Sequence, residues 1–343
     1  MEGSRFIGGV FPLELPSGAA PGGSLLDAWS RDASFLHAFG NARSALAWLL
    51  GTARPRRLWL PGFICREAAS AAAAAGMEPL WFDVAADLSP RLEDAALEAG
   101  DAVLAVDYFG RPPPPAFREL VARRRDVLWI EDRAQAMEPG AAWGDVLLAS
   151  PRKLVGVADG GLLIGLAGAP DLPAPALAPV ADPGLLWRPL LERLEAESVN
   201  GRWYASYQAS EEAHRVAPTA MTALSRAVLE RTPAAPIAAA RRRNFAALAR
   251  LLPDLAAVAE TDPAWVPFGF PVRLPDPAAA SRALAGKGMF CPRHWASLPS
   301  PAAACPDAHR LAATLLTLPC DQRYDEEAMA SLAFEVRRAA RAA

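Results

Sequence analysis

Lys153 stands in a sequence pattern that could place an amine beside a bound aldehyde. Lysine occurs at Lys153 and Lys287, so it is scarce in a chain of 343 residues. Lys153 ends the stretch Ser150-Pro-Arg-Lys153, which follows an apolar segment and precedes Asp159-Gly-Gly161. A lysine amine condenses with an aldehyde when it is held in place and loses its proton, and serine and arginine side chains contact phosphate well. The alternative is that Arg152 and Lys153 form a solvated surface pair.

Two adjacent carboxylates end another apolar segment, Trp129-Ile-Glu-Asp132, shortly before Gln135. In parallel α/β sheets, ligands bind at the carboxyl ends of the strands. A carboxylate there can pair with the protonated ring nitrogen of a cofactor, and such a ring withdraws electrons from a substrate carbanion. Asp132 is therefore a candidate partner for a cationic ring, and capping of the next turn is its alternative role.

The stretch Gly40-Asn-Ala42-Arg43-Ser44 has the composition of a turn that leads into a helix. The free N–H groups at a helix start bind phosphate well. An ordinary helix cap has the same composition, so this stretch supports a phosphate site only in combination with the two stretches above.

Strands and helices alternate between about residues 42 and 165. The predicted strands are Arg57–Pro61, Glu78–Asp83, Ala102–Asp107, Val127–Asp132, Val146–Ala149 and Leu162–Ile164. The predicted helices are Ser44–Leu50, Arg66–Ala75, Ser89–Glu98 and Pro115–Arg125. Continuous apolar strands separated by helices indicate a mostly parallel sheet that is covered on both faces.

A proline-rich stretch over residues 167–183 is followed by a mainly helical part and then by a smaller mixed part. Helices are predicted at Leu185–Glu197, Ser206–Arg215, Thr219–Leu229, Ile237–Leu252, Ala278–Lys287 and Glu326–Ala342, with a strand at Phe268–Arg273. We therefore expect an α/β protein with a large domain over residues 1–235 and a small C-terminal α+β domain over residues 236–343. The run Arg241-Arg-Arg243 is expected on a solvated helix face.

Composition argues against several classes of protein. A net charge of -3 and 52% hydrophobic residues indicate neither a nucleic-acid-binding protein nor one that binds an anionic membrane. The four cysteines lie far apart without a C-x-x-C pair, so we expect neither a metal site nor a disulfide scaffold. The segment Met1–Leu15 lacks a long apolar run, so we expect no signal peptide or membrane span and a cytoplasmic location.

In their order along the chain, these stretches resemble the DegT-type sugar aminotransferases, which are fold-type-I enzymes that use pyridoxal 5′-phosphate (PLP). The resemblance covers about residues 35–335. Its most specific parts are Ile130–Ala136 and Ser150–Lys153 followed by Asp159–Gly161. The supporting parts are Gly40–Leu46, Leu60–Cys65, Gly76–Asp83, Val106–Gly110, Arg243–Leu248, Arg293–Trp295 and Leu318–Tyr324.

The resemblance implies an aspartate-aminotransferase-like PLP fold and a role for each matching residue. Lys153 would bond to the cofactor and carry the proton between substrate and cofactor. Asp132 would pair with the pyridinium nitrogen, and Gln135 would lie near the phenolic oxygen. The residues expected around the phosphate are Ala42, Arg43 and Ser150.

Other matching positions are expected to contact the ring or the substrate. The position that normally stacks on the ring falls on Cys65, and Phe63 is the alternative. Substrate contacts are expected from Tyr108, Arg293 and His294.

The resemblance also implies a homodimer that moves an amino group from an amino acid donor to a keto acceptor, with nucleotide-linked keto-sugars as one acceptor class. Two alternatives stay open. One is another PLP-dependent reaction, a lyase or a desulfurase, and a desulfurase needs a reactive cysteine such as Cys65. The other is a non-catalytic binding or regulatory protein with the same fold, because His214–Met221 stands where the family has a Gly-Tyr-Asn block.

Overall fold

The computed structural model describes residues 6–16, 23–137, 142–195, 202–258, 262 and 264–342. Its strands are β1 (Ile7–Gly8), β2 (Phe35–Phe39), β3 (Leu58–Pro61), β4 (Leu80–Val84), β5 (Pro90–Arg91), β6 (Ala102–Val106), β7 (Leu128–Arg133), β8 (Val146–Ala149), β9 (Gly161–Gly165), β10 (Phe270–Arg273), β11 (Met289–Phe290) and β12 (Leu315–Leu318). Its helices are α1 (Leu25–Ser30), α2 (Ala42–Ala53), α3 (Arg66–Ala74), α4 (Pro115–Arg123), α5 (Pro183–Glu195), α6 (Arg202–Ala213), α7 (Ala223–Leu229), α8 (Ala234–Leu251), α9 (Pro277–Ala285), α10 (Pro306–Thr314) and α11 (Glu326–Ala342).

A central sheet has the strand order β2-β9-β8-β7-β6-β3-β4-β5. The strands from β8 to β4 run parallel, whereas β2, β9 and β5 pair antiparallel with their neighbours. All five residues of β6 are apolar and buried, as is typical of a strand with helices over both faces of its sheet. The prediction of a mostly parallel α/β sheet is confirmed.

The connection from β8 to β9 reverses the chain and places Lys153 at the edge of the sheet. Between Ala149 and Gly161 the chain forms a short 3-10 turn over Pro151–Lys153. Such a connection is too short for a crossover to a parallel strand, so β9 returns antiparallel to β8. Lys153 therefore follows the carboxyl end of β8, beside the strand that carries Asp132.

Two small sheets lie outside the central one. Strand β10 pairs antiparallel with β12, and Ile7 in β1 pairs with Met289 in β11. The N-terminal segment therefore joins the C-terminal part of the chain. One apolar cluster contains Leu104, Phe245 and Leu316, so the core is continuous across the predicted boundary at residue 235, and the division into two domains stays a prediction.

The predicted helix Ser89–Glu98 is wrong. The structure has β5 and a 3-10 turn over Asp94–Ala96 there. Arg57 donates to the carbonyl of Ala96 at 3.1 Å, and Arg124 donates to the carbonyls of Asp94 and Leu97. These carbonyls find their hydrogen-bond donors in arginine side chains from other elements, and a continuous helix is not formed.

The prediction that Arg241–Arg243 lie on a solvated helix face is also wrong for Arg241. Arg241 lies on α8 with 1% of its surface exposed. Its guanidinium donates to the carbonyls of Pro267 and Phe268 at 3.2 and 3.1 Å and to that of Leu154 at 2.8 Å. This side chain therefore ties α8 to the loop that follows Lys153.

Among the described helices, none is both long and apolar enough to cross a membrane.

We predict that Arg241→Ala destabilises the protein by about 3 kcal/mol, because several buried carbonyls lose their donors. The free energy of unfolding in urea measures the effect. Arg250→Ala on the same helix is the matched control, since Arg250 forms an exposed ion pair with Glu326 and should cost less than about 1 kcal/mol. Equal effects of the two substitutions would contradict the structural role of Arg241.

Candidate active site

A cavity of about 650 Å³ lies at the carboxyl edge of the parallel strands, between the central sheet and the C-terminal part of the chain. Its volume is in the range of small-molecule sites. The predicted site residues that line it are Ala42, Arg43, Cys65, Asp132, Ser150, Lys153 and His294. The structure thus brings together seven residues from five separate stretches of the sequence.

Asp132 projects into this cavity from the end of β7. Its neighbours in the sheet are Val106 on β6 and Leu148 on β8, and its Oδ1 accepts the Ala134 N–H at 2.9 Å. Burial raises the pKa of Asp132, whereas the charge of Lys153 and the Ala134 N–H lower it. The carboxylate is therefore stabilised by a cation in the same cavity.

Lys153 supplies that cation. It ends the 3-10 turn after β8, and its N–H donates to the Ser150 carbonyl at 3.0 Å. Its charge also acts to lower the pKa of Cys65 and that of His294, so the amine lies near both of these residues in the cavity. Lys153 therefore lies in the cavity and does not form a solvated surface pair with Arg152.

The N-terminus of α2 forms another part of the cavity wall. Asn41 caps the helix, because its Oδ1 accepts the Ser44 N–H at 2.9 Å. Ala42 and Arg43 begin the helix and line the cavity. A Cβ atom at Gly161 would lie 2.0 Å from the Asn41 carbonyl carbon, so only glycine lets β9 approach the helix start this closely.

Asp159, the acidic residue of the Asp-Gly-Gly stretch, has a structural role. It is fully buried, and its carboxylate accepts hydrogen bonds from the N–H and Oγ1 of Thr222 at 2.8 and 2.7 Å and from the Ser225 hydroxyl. Thr222 caps α7. Asp159 therefore anchors α7 to the loop that follows Lys153.

Cys65 lines the cavity as a half-buried thiol. Burial raises its pKa to about 11, and the nearby charge of Lys153 opposes this effect. The side chain is therefore a neutral thiol near pH 7. Since the thiolate is the nucleophilic form of cysteine, Cys65 is poorly suited to attack a substrate.

His294 contributes a neutral imidazole. Burial and the charge of Lys153 lower its pKa to about 3. Its Nδ1 lies 2.9 Å from the Thr317 hydroxyl, and its ring packs edge-on against Phe268 and Trp295. A neutral imidazole is suited to a substrate hydroxyl or carbonyl rather than to an anion.

Four predicted site residues do not line the cavity in the described part of the chain: Phe63, Tyr108, Gln135 and Arg293. Gln135 is buried, and its Oε1 accepts the Phe109 N–H at 2.9 Å. The Tyr108 hydroxyl donates to the Phe63 carbonyl at 2.5 Å, and Arg293 donates to the Ala312 carbonyl. The side chains of Gln135, Tyr108 and Arg293 thus bond to neighbouring backbone. The contacts with cofactor or substrate that were expected of all four residues stay predictions.

Helix α6 and the N-terminal segment supply wall residues that sequence reasoning did not assign. Tyr207 and Glu211 on α6 line the cavity, and Glu211 forms an ion pair with Arg152. Phe11 also lines it, and the Arg323 guanidinium lies 4.0 Å from the centre of its ring. No sequence motif marks Tyr207, Glu211 or Phe11 as a wall residue, because each reaches the cavity only through the packing of segments that are distant in the chain.

Solved structures of similar fold include sugar aminotransferases. Spr1654 from Streptococcus pneumoniae, in its PLP form, matches with a TM-score of 0.67 at 15% identity over 97% of this chain and 99% of that protein. CalS13, a sugar aminotransferase from Micromonospora echinospora, has a TM-score of 0.62 at 16% identity over 96% and 99% of the two chains. A DegT/DnrJ/EryC1/StrS aminotransferase from Brucella abortus has a TM-score of 0.63 at 18% identity over 95% and 92%.

No protein-family model matches the chain, and no curated protein matches it. The structural likeness extends over nearly the whole length of each of the three proteins, so it concerns a complete fold and not a shared fragment. The chain therefore has the predicted PLP-enzyme fold, the fold of the DegT-type sugar aminotransferases.

Proposed function

We propose that the protein is a PLP-dependent aminotransferase that moves an amino group from an amino acid to a keto acceptor. The observation that carries the proposal is that Asp132 and Lys153 line one cavity with the N-terminus of α2. The Asp132 carboxylate suits a cationic ring, the Lys153 amine suits an aldehyde, and the N-terminus of α2 suits a phosphate. Structures of similar fold include an aminotransferase and a sugar aminotransferase, which supports the same reaction type.

The residues present fit PLP. Asp132 would hold the ring nitrogen, and Lys153 would bond to the aldehyde carbon. Ser150 and the first residues of α2, Ala42 and Arg43, would hold the phosphate through a hydroxyl, free N–H groups and a guanidinium. Arg152 is less available for that role, because it is already paired with Glu211.

When bound, PLP supplies an electron sink that stabilises negative charge at the α-carbon of the amino acid. The nitrogen of the amino acid would displace Lys153 from the aldehyde carbon, and the freed Lys153 Nζ would take the proton from that α-carbon and return it to the former aldehyde carbon. Asp132 keeps the ring nitrogen protonated, because a buried carboxylate favours a neighbouring positive charge.

The acceptor class that we propose is a nucleotide-linked keto-sugar. Its support is the likeness to sugar aminotransferases together with the neutral His294 and Thr317 on the cavity wall. Uncharged donors and acceptors of this kind match the hydroxyl groups of a sugar.

A desulfurase is less well supported, because the Cys65 thiol has a pKa of about 11. A desulfurase needs a thiolate near neutral pH, and the charge of Lys153 does not offset the rise in the pKa of Cys65 that burial causes.

We expect the PLP-loaded protein to move ¹⁵N from labelled glutamate, or from another donor of an amino acid panel, to a nucleotide-linked keto-sugar. Lys153→Ala should lower the rate at least about a thousandfold, because both cofactor attachment and proton transfer are lost. Mass spectrometry of the sugar product measures the transfer.

Lys287→Ala is the matched control for this assay. Lys287 is the other lysine of the chain and forms a surface ion pair with Glu335, so its loss should leave the rate within about twofold. Bound PLP without turnover of any donor would contradict amino transfer and favour the non-catalytic alternative.

We further propose that the protein is a cytoplasmic homodimer. Exposed apolar side chains on α5 and α6, which pack against each other, support the dimer, namely Leu191 and Leu194 on α5 and Tyr204 on α6. Light scattering should give twice the chain mass of 36.4 kDa, and the mass of a single chain at micromolar concentration would refute the dimer.

A further inference from the structure

The peptide groups Leu154–Val155 and Val155–Gly156, shortly after Lys153, are held by segments from three distant parts of the chain. The Leu154 carbonyl accepts hydrogen bonds from Arg241 on α8 at 2.8 Å and from Gln322 at 2.9 Å. The Gly156 N–H donates to Glu14 Oε2 at 2.8 Å. The loop over residues 150–160 carries Lys153 and is called the lysine loop below. It is therefore fixed by tertiary hydrogen bonds shortly after the lysine.

Glu14 joins these bonds into one network. Its carboxylate accepts the Gln322 side-chain N–H at 3.1 Å, and its own N–H donates to the Gly156 carbonyl at 3.3 Å. Gln322 Oε1 in turn accepts from Arg241 Nε at 3.0 Å. The N-terminal segment thus bonds both to the lysine loop and to the side chains that hold it.

Gly156 provides a second, independent sign of close docking. A Cβ atom at this position would lie 2.1 Å from the Pro12 carbonyl oxygen and 2.6 Å from the Glu14 nitrogen. Any larger residue would push the N-terminal segment away from the lysine loop. Glu14 is half-buried, and the hydrogen bonds from Gly156 and Gln322 offset the cost of removing its carboxylate from water.

We propose that Glu14 is a positioning residue for Lys153. Through Gly156 and Gln322 it holds the lysine loop so that the amine stays in reach of the aldehyde of PLP. This inference rests on the proposed function. Glu14 is not among the residues that line the cavity in the described part of the chain, so its effect passes through the loop.

The test compares PLP with pyridoxamine 5′-phosphate, which has no aldehyde and forms no bond with lysine. Glu14→Ala should weaken PLP binding about tenfold, the usual effect of losing hydrogen bonds to a charged group, and leave pyridoxamine phosphate binding within about twofold. Glu14→Gln keeps an oxygen for the Gly156 N–H and should retain most of the PLP affinity. Dissociation constants come from absorbance or fluorescence titration.

A double-substitution cycle shows whether the effect passes through the lysine. In a Lys153→Ala background, Glu14→Ala should change PLP affinity by less than about twofold, because the group that it positions is gone. Gly156→Ala should reproduce the Glu14→Ala pattern, and Glu119→Ala, an exposed carboxylate on α4, is the control.

Three results would overturn the inference: equal weakening of both compounds, a full effect of Glu14→Ala in the Lys153→Ala background, or an unchanged PLP affinity in Glu14→Ala. Unfolding in urea shows that each variant is folded at the assay temperature. Wild-type protein that binds neither compound would instead refute the proposed function, and the inference with it.

Discussion

The opposite charges of Asp132 and Lys153 in one partly buried cavity are the constraint on which the rest of the structure depends. Burial alone raises the pKa of Asp132, and the charge of Lys153 acts against that rise. The Asp132 carboxylate would be more costly in the cavity without that charge, since unpaired charges are disfavoured away from water. The parallel pairing of β7 and β8 brings the two groups together, because it places their carboxyl ends side by side.

Hydrogen bonds and close packing between distant segments of the chain hold the elements around Asp132 and Lys153 in place. Asp159 anchors α7, and Gly161 lets β9 approach the start of α2. Arg241 and Glu14 hold the loop after Lys153 from the other side. The start of α2 and Lys153 thereby line one cavity, whose walls come from both ends of the chain.

The sequence predicted most of the central sheet, because strands such as β6 are continuous apolar runs that only a doubly covered sheet buries. It also placed Asp132 and Lys153 at the carboxyl edge. It did not predict β2, whose pattern includes His37, or the burial of Arg241, because arginine in a charged run resembles a solvated face. Glu14 carries no motif, and its role depends on packing across the whole chain.

Reduction with borohydride tests the central claim, that Lys153 holds the cofactor, most directly. Protein incubated with PLP is reduced and digested, and mass spectrometry locates the pyridoxyl group. We expect a visible absorbance band that reduction removes and a label on Lys153. The chain offers Lys287 as an internal comparison, exposed and paired with Glu335. A label on Lys287 alone, or no label at all, would contradict the account.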